Sequence, residues 1–237
     1  MPGGVAVISA NPMIFENIPA LVWGKESDTV YIYAHGKLSR KEYARDFAVI
    51  AQKKGCQTLS FDLPCHGERA GRREKCDICT GMRDLEDIYQ RASRRWPHLR
   101  LFGCSIGAFF SLHAYAGFPF EKALFQSPIV DMEQLIQKMM AWSGVTEEEL
   151  QQRQEILTPI DTLSWKDYSY VREHPVENWT IPTQVLYGGK DGLQSRQAVQ
   201  AFCDRFHCGL TVAESSEHAF LGEGDATIAR VWLQQKM

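Results

Sequence analysis

Apolar residues fall along the chain in short continuous runs, separated by stretches in which they recur every three or four positions. The run VYIYA at 30–34 is β-branched and aromatic throughout and leads into His35-Gly36, as expected of a strand buried on both faces. Residues 58–63, 99–102, 122–126, 183–187 and 210–213 read as further strands. Two opening strands are expected at 5–9 and 18–23, with Asn11 and Pro12 marking the break between them. In the intervals, 40–53 places Tyr43, Phe47 and Ile50 on one stripe that Gly55 closes, and 82–96 carries Leu85, Ile88 and Tyr89 before Pro97 ends it. Residues 108–116, 199–206 and 226–232 complete the helical set. A helix-sized gap between successive strands is what a parallel sheet with right-handed crossovers requires, so the class is α/β, a mostly parallel central sheet flanked by helices.

Residues 131–180 break this rhythm, because about fifty residues separate the sixth and seventh strands where a crossover needs far fewer. A small helical insertion is expected there, within a single domain over 1–237. Thr146 and Glu149 form a capping-box pattern, and Trp142, Trp165, Tyr168, Tyr170 and Trp179 make the segment aromatic. These aromatics either pack among helices or belong to a cap that lines an apolar pocket of modest size. The segment can equally form a contact between two copies of the chain, a homodimer.

With 237 residues, 44% of them apolar, the chain can bury a substantial core, and no Gly/Ser linker or repeat divides it. The net charge of −3 is spread along the chain, which points away from nucleic acid and anionic membranes. Arg91, Arg94 and Arg95 sit at the end of an expected helix, where cations complement the dipole. The opening residues MPGGVAVISANPMIF lack a signal-peptide pattern, and no segment has the length of a membrane span. Seven scattered cysteines fit reduced thiols, and a cytoplasmic location is expected.

Candidate chemistry centres on GCSIG, 103–107, which lies between an expected strand and an expected helix. A GxSxG in that context is a nucleophile elbow, a strained turn that lifts the serine, here Ser105, above the sheet edge. Gly103 and Gly107 are expected to permit close backbone approach and positive φ angles. A serine hydroxyl needs a base within hydrogen-bond reach and a carboxylate to orient that base. GGKDG puts Asp191 just beyond the strand at 183–187, and ESSEHAF puts His218 after the strand at 210–213. Asp131 and Asp161 remain rival acids. Among the other histidines, His98 and His113 read as structural, whereas His35 and His66 lie at strand ends but upstream of the serine; His174 and His207 are also available.

The order Ser105, Asp191, His218, together with YAHGK, DLPCHGER, GCSIG, GGKDG and SEHAF, resembles the α/β-hydrolase superfamily, esterase/lipase type, from about Val30 onward. The resemblance implies an oxyanion hole from the backbone amides of Lys37 and Ile106. It also implies a serine hydrolase that cleaves carboxylic esters of small apolar or aryl substrates through an acyl-enzyme. Thioester or amide cleavage by the same triad, or a non-catalytic binding protein on the same fold, are the alternatives. In DLPCHGER, Cys65 stands where the family usually has glycine, and Asp62 and His66 are expected to fix the loop by side-chain hydrogen bonds. Cys76 and Cys79 form a CxxC without a second close pair, only the distant Cys203 and Cys208, so no metal is implied. Phosphate-binding loop motifs are absent and no cofactor is implied. Cys104 is expected to pack away from Ser105.

Overall fold

The structure, a computed structural model, describes residues 8–237. Eight strands form one sheet: β1 Ala10–Phe15, β2 Ile18–Trp23, β3 Thr29–Ala34, β4 Gln57–Phe61, β5 His98–Cys104, β6 Ala123–Gln126, β9 Thr183–Gly188 and β10 Gly209–Ala213. Their spatial order is β1-β2-β4-β3-β5-β6-β9-β10; β2 runs antiparallel to both neighbours and the rest of the sheet is parallel.

Period-two alternation divides the core. Val30, Ile32 and Ala34 of β3 join one apolar cluster, with residues of α2 (Ile78–Arg95), α3 (Ile106–Ala114) and α7 (Arg196–Arg205). Tyr31 and Tyr33 turn to the other face and pack with α1 (Arg45–Lys53) and α8 (Asp225–Lys236). Between β6 and β9 lie α4 Met132–Ser143, α5 Glu147–Arg153, the hairpin of β7 Glu155–Leu157 with β8 Thr162–Ser164, and α6 Trp165–Glu173. The segment at 131–180 is therefore mixed, not purely helical. The Thr158–Asp161 turn, closed by Thr158 Oγ1–H to the Asp161 carbonyl at 2.7 Å, joins two three-residue strands into a hairpin where a helix was expected.

Three other expectations are corrected. Asn11 and Pro12 lie inside β1, since Pro12 on an edge strand leaves no ladder bond unmade inside the sheet; the break comes at Glu16-Asn17, where Glu16 has φ 56°. Residues 5–7 of the first expected strand lie outside the described residues. Tyr43 does not join the stripe of Phe47 and Ile50, because 41–44 is a 3₁₀ turn that rotates it outward; it is 60% exposed, with Arg40 stacked 5.2 Å from its ring. Helix α2 begins four residues before the expected start, where the Asp77 carboxylate accepts from Thr80 N–H at 2.8 Å. Among the described residues no helix is long and apolar enough to cross a membrane.

Candidate active site

Ser105 follows β5 at the junction with α3 and adopts φ 51°, ψ −118°, a region L-residues rarely occupy. Its amide donates to the Gln126 carbonyl on β6 at 3.1 Å, and its carbonyl accepts from Ala108 and Phe109. The flanking glycines serve close approach alone, for neither has a positive φ. A Cβ on Gly107 would sit 2.7 Å from the Ala34 carbonyl carbon and nearer still to the oxygens of Ala34 and His35; on Gly103 it would sit 2.8 Å from Ala108 Cα. The strain is carried by the serine itself.

The structure brings Ser105, His218 and Asp191 together. His218 Nε2 lies 2.8 Å from Ser105 Oγ, and Nδ1 lies 2.7 Å from Asp191 Oδ2. The Asp191 side chain is fully buried, and its Oδ1 accepts from the amides of Leu193 at 2.8 Å and Gln194 at 3.1 Å, leaving Oδ2 for the imidazole. The rival acids are engaged elsewhere: Asp131 Oδ1 caps α4 through Gln134 N–H at 2.8 Å, and Asp161 pairs with the Lys37 ammonium. Lys37, Ser105 and Ile106 line one cavity. Among the described residues, neither the Lys37 amide nor the Ile106 amide donates to a protein acceptor.

Supports that the sequence reading missed surround this chain. Ser127 Oγ–H donates to the His218 carbonyl at 2.7 Å. Asp225, at the start of α8, accepts from Ser216 Oγ–H at 2.5 Å and from Gly222 N–H at 2.7 Å, bracing the His218 loop from both sides. The buried Gln194 accepts from the amides of Val130 and Asp131 at 3.0 and 2.9 Å and donates to the Asp131 carbonyl at 3.0 Å. The partners of Ser127 and Gln194 lie 63 to 91 residues away, so no local pattern marks these two, whereas Asp225 braces within its own loop, three and nine residues from its partners.

The loop after β4 follows its expectation. Asp62 accepts from Lys41 N–H at 2.9 Å, Lys41 Nζ at 2.8 Å and Glu68 N–H at 3.0 Å, while His66 Nδ1 pairs with the Pro64 carbonyl at 2.8 Å. Cys65 has φ 63°, a backbone conformation that favours glycine. Cys76 lines the cavity, where burial pushes its thiol up to about 12, and Cys104 is likewise pushed up to about 12 by burial. Among the described residues no three His, Cys, Asp or Glu side chains are grouped to hold a metal ion.

Beneath the serine, burial lowers the His35 pKa from 6.5 to about 4. This fully buried ring donates through Nδ1–H to the Gly36 carbonyl at 2.7 Å and accepts through Nε2 from Leu63 N–H at 3.1 Å. The unfolded chain takes up this proton near pH 6.5 and the folded chain only near pH 4. The stability tied to neutral His35 is therefore complete above pH 6.5 and lost as pH falls toward 4, by up to ~3 kcal/mol. Melting midpoints from pH 7.5 to 4.5 are expected to fall, and less steeply in a His35→Gln variant; equal slopes would exclude His35 as a cause.

The cavity measures about 1090 Å³ and carries Ser105 in its wall. One side is apolar: Met132, Leu135, Ile136 and Met139 project from one face of α4, joined by Phe109 of α3. The lining also carries charged groups, among them Lys37, Arg40, Glu74, Lys166 and Asp161. Of the five aromatics expected either to pack among helices or to line a pocket, Trp142 lines this cavity and the other four pack. Tyr168 and Trp179 are buried, Trp179 against Phe125 with centroids 5.6 Å apart; Trp165 packs on the core and on Tyr168, and Tyr170 stacks on His174 at 4.3 Å. Ring area is better removed from water inside the packed layer than at an open mouth.

No protein-family model matches the chain, and no curated protein matches it in sequence. Solved structures do match in shape. Alpha/beta hydrolase domain-containing protein 10 from mouse superposes at TM-score 0.77 with 16% identity, over 96% of this chain and 97% of that one. Est1E from Butyrivibrio proteoclasticus, with ferulic acid bound, matches at TM-score 0.77 and 15% identity over 95% and 97%. A hydrolase described as putative, from Agrobacterium vitis S4, gives TM-score 0.75 and 16% identity over 97% and 98%.

Proposed function

We propose that this chain, which has the α/β-hydrolase fold, is a serine hydrolase that cleaves carboxylic esters with an apolar or aryl acyl group. The observation that carries the reading is the continuous chain from buried Asp191 through His218 to Ser105 Oγ in the wall of a half-apolar cavity. Asp191 fixes the tautomer, because Nδ1–H donates to Oδ2 and leaves the Nε2 lone pair facing the serine hydroxyl. Ser105 Oγ attacks the ester carbonyl as Nε2 takes its proton, and the carbonyl oxygen gains the negative charge. The amides of Lys37 and Ile106 receive that oxyanion, Ile106 at the N-terminus of α3, where the helix dipole also favours negative charge. Collapse expels the alcohol with the proton from His218. Water then repeats the sequence and releases the acid.

The deciding experiment is labelling with a fluorophosphonate probe, which is expected to modify Ser105 in the native chain. No adduct, or an equal adduct on a Ser105→Ala variant, would falsify the reading. The α4 face sets a second expectation. Across p-nitrophenyl esters of increasing chain length, kcat/KM is expected to rise about three- to fourfold per methylene while added carbons leave water. The cavity volume extends the series beyond the modest group first expected. That Est1E, which has this fold, is found with ferulic acid bound accords with an aryl acyl group. Equal turnover of charged and apolar esters of matched length would contradict the apolar assignment.

A further inference from the structure

Lys37 presents two groups in different directions. Its backbone amide is the proposed oxyanion donor, while its ammonium reaches to the hairpin of the inserted segment and pairs with Asp161 Oδ2. The peptide that carries this amide is held at its other end, where the Gly36 carbonyl accepts from the buried His35 ring at 2.7 Å. Gly36 packs against Ser105, where an added Cβ would lie 3.3 Å from the serine Cβ, and Lys41 is anchored on Asp62. Between them, Leu38 is 89% exposed with φ 61°, and the turn closes through Ser39 N–H to the Gly36 carbonyl at 3.3 Å. Beyond that carbonyl the turn is exposed as far as Lys41, so the Lys37 end of the peptide is the part that a side-chain contact can still fix.

Asp161, in contrast, is firmly placed. Its carbonyl accepts from Thr158 N–H at 2.9 Å and from Thr158 Oγ1–H at 2.7 Å, and its amide donates back to Thr158 Oγ1 at 3.1 Å. Its Oδ1 accepts from Thr162 N–H at 2.9 Å, which turns Oδ2 toward Lys37. The hairpin carrying it is seated by buried Ile156 and Leu163.

We propose that Asp161 is a positioning residue: through the Lys37 side chain it holds the Lys37 amide in line for the oxyanion, so the inserted hairpin completes the hole. This rests on the serine-hydrolase reading. The side chains of the pair are 43% and 41% exposed, and a pair so exposed adds little to stability, so its loss is read in catalysis and not in unfolding. Removing an oxyanion donor outright costs about 10²- to 10³-fold in kcat, and loosening one should cost part of that.

The test compares the native chain with Asp161→Asn. For p-nitrophenyl butyrate, kcat is expected to fall about three- to fivefold with KM within twofold. The inhibition constant of a trifluoromethyl ketone, whose serine adduct places an oxyanion in the hole, is expected to rise about equally, whereas the inhibition constant of the matching alcohol and the melting midpoint stay unchanged. Salt to about 1 M is expected to slow the native enzyme and leave the variant unaffected, because screening acts on the pair. Should Asp161→Asn fold poorly, Lys37→Met removes the ammonium, keeps the amide and is expected to give the same pattern. Native-like kcat and ketone affinity in these variants would overturn the inference and leave the hydrolase reading standing; a native chain with neither turnover nor ketone binding removes both.

Discussion

Replacing Ser105 by alanine is expected to lower kcat for a p-nitrophenyl ester by about 10⁴-fold or more, with the fold retained. The hydroxyl is the group that faces His218 Nε2, at 2.8 Å, and its neighbour Cys104 offers no substitute, because burial keeps that thiol protonated. Side chains that act as one unit lose their effect together, so adding His218→Ala to Ser105→Ala is expected to lower the rate little further. Burst and steady-state kinetics on the two variants check this. Residual turnover above about 1% of native, in protein free of native contaminant, would mean that another group attacks the ester.

A methyl group at Gly107 is expected to be the most damaging small change in the elbow. The Cβ of Gly107→Ala would enter the space of the Ala34 and His35 carbonyls, main-chain atoms of β3 and the loop that follows it, which cannot rotate aside as a side-chain tip can. Overpacking against backbone belongs at the upper end of its usual range, about 3 kcal/mol, or roughly 6 to 12 °C in melting midpoint for a domain of this size. Because β3 leads directly to Gly36 and Lys37, the backbone shift that relieves the clash also moves the oxyanion loop, and kcat should fall as well. Calorimetry with parallel kinetics tests both parts. A variant as stable and active as the native chain would show that the two segments are less tightly apposed.

The sheet and the cluster of Ser105, Asp191 and His218 were legible because each rests on a local signal. A double-sided strand such as VYIYA needs no distant partner to be recognised, and GCSIG, GGKDG and SEHAF each follow a strand end. The cavity wall was not read, since attention fell on aromatics; yet Met132, Leu135, Ile136 and Met139 stand at helical spacings of three and four, a stripe that periodicity could have found. Tyr43 misled because a 3₁₀ turn changes the angle between neighbours without changing the letters. The pairing of Lys37 with Asp161, 124 residues apart, and the braces from Ser127, Gln194 and Asp225 exist only once the chain is folded.

Gln194 bears on how a chain of this fold changes over generations. Its carboxamide holds the main chain of Val130 and Asp131 through three hydrogen bonds, so the root of the inserted segment is gripped by a residue of the Asp191 loop and through backbone atoms alone. A grip on main chain is indifferent to which side chains follow it. Segments of different sequence can therefore be transplanted after Asp131 with the root unaltered, and under the proposed function acyl preference would drift while Asp191, His218 and Ser105 stay in register.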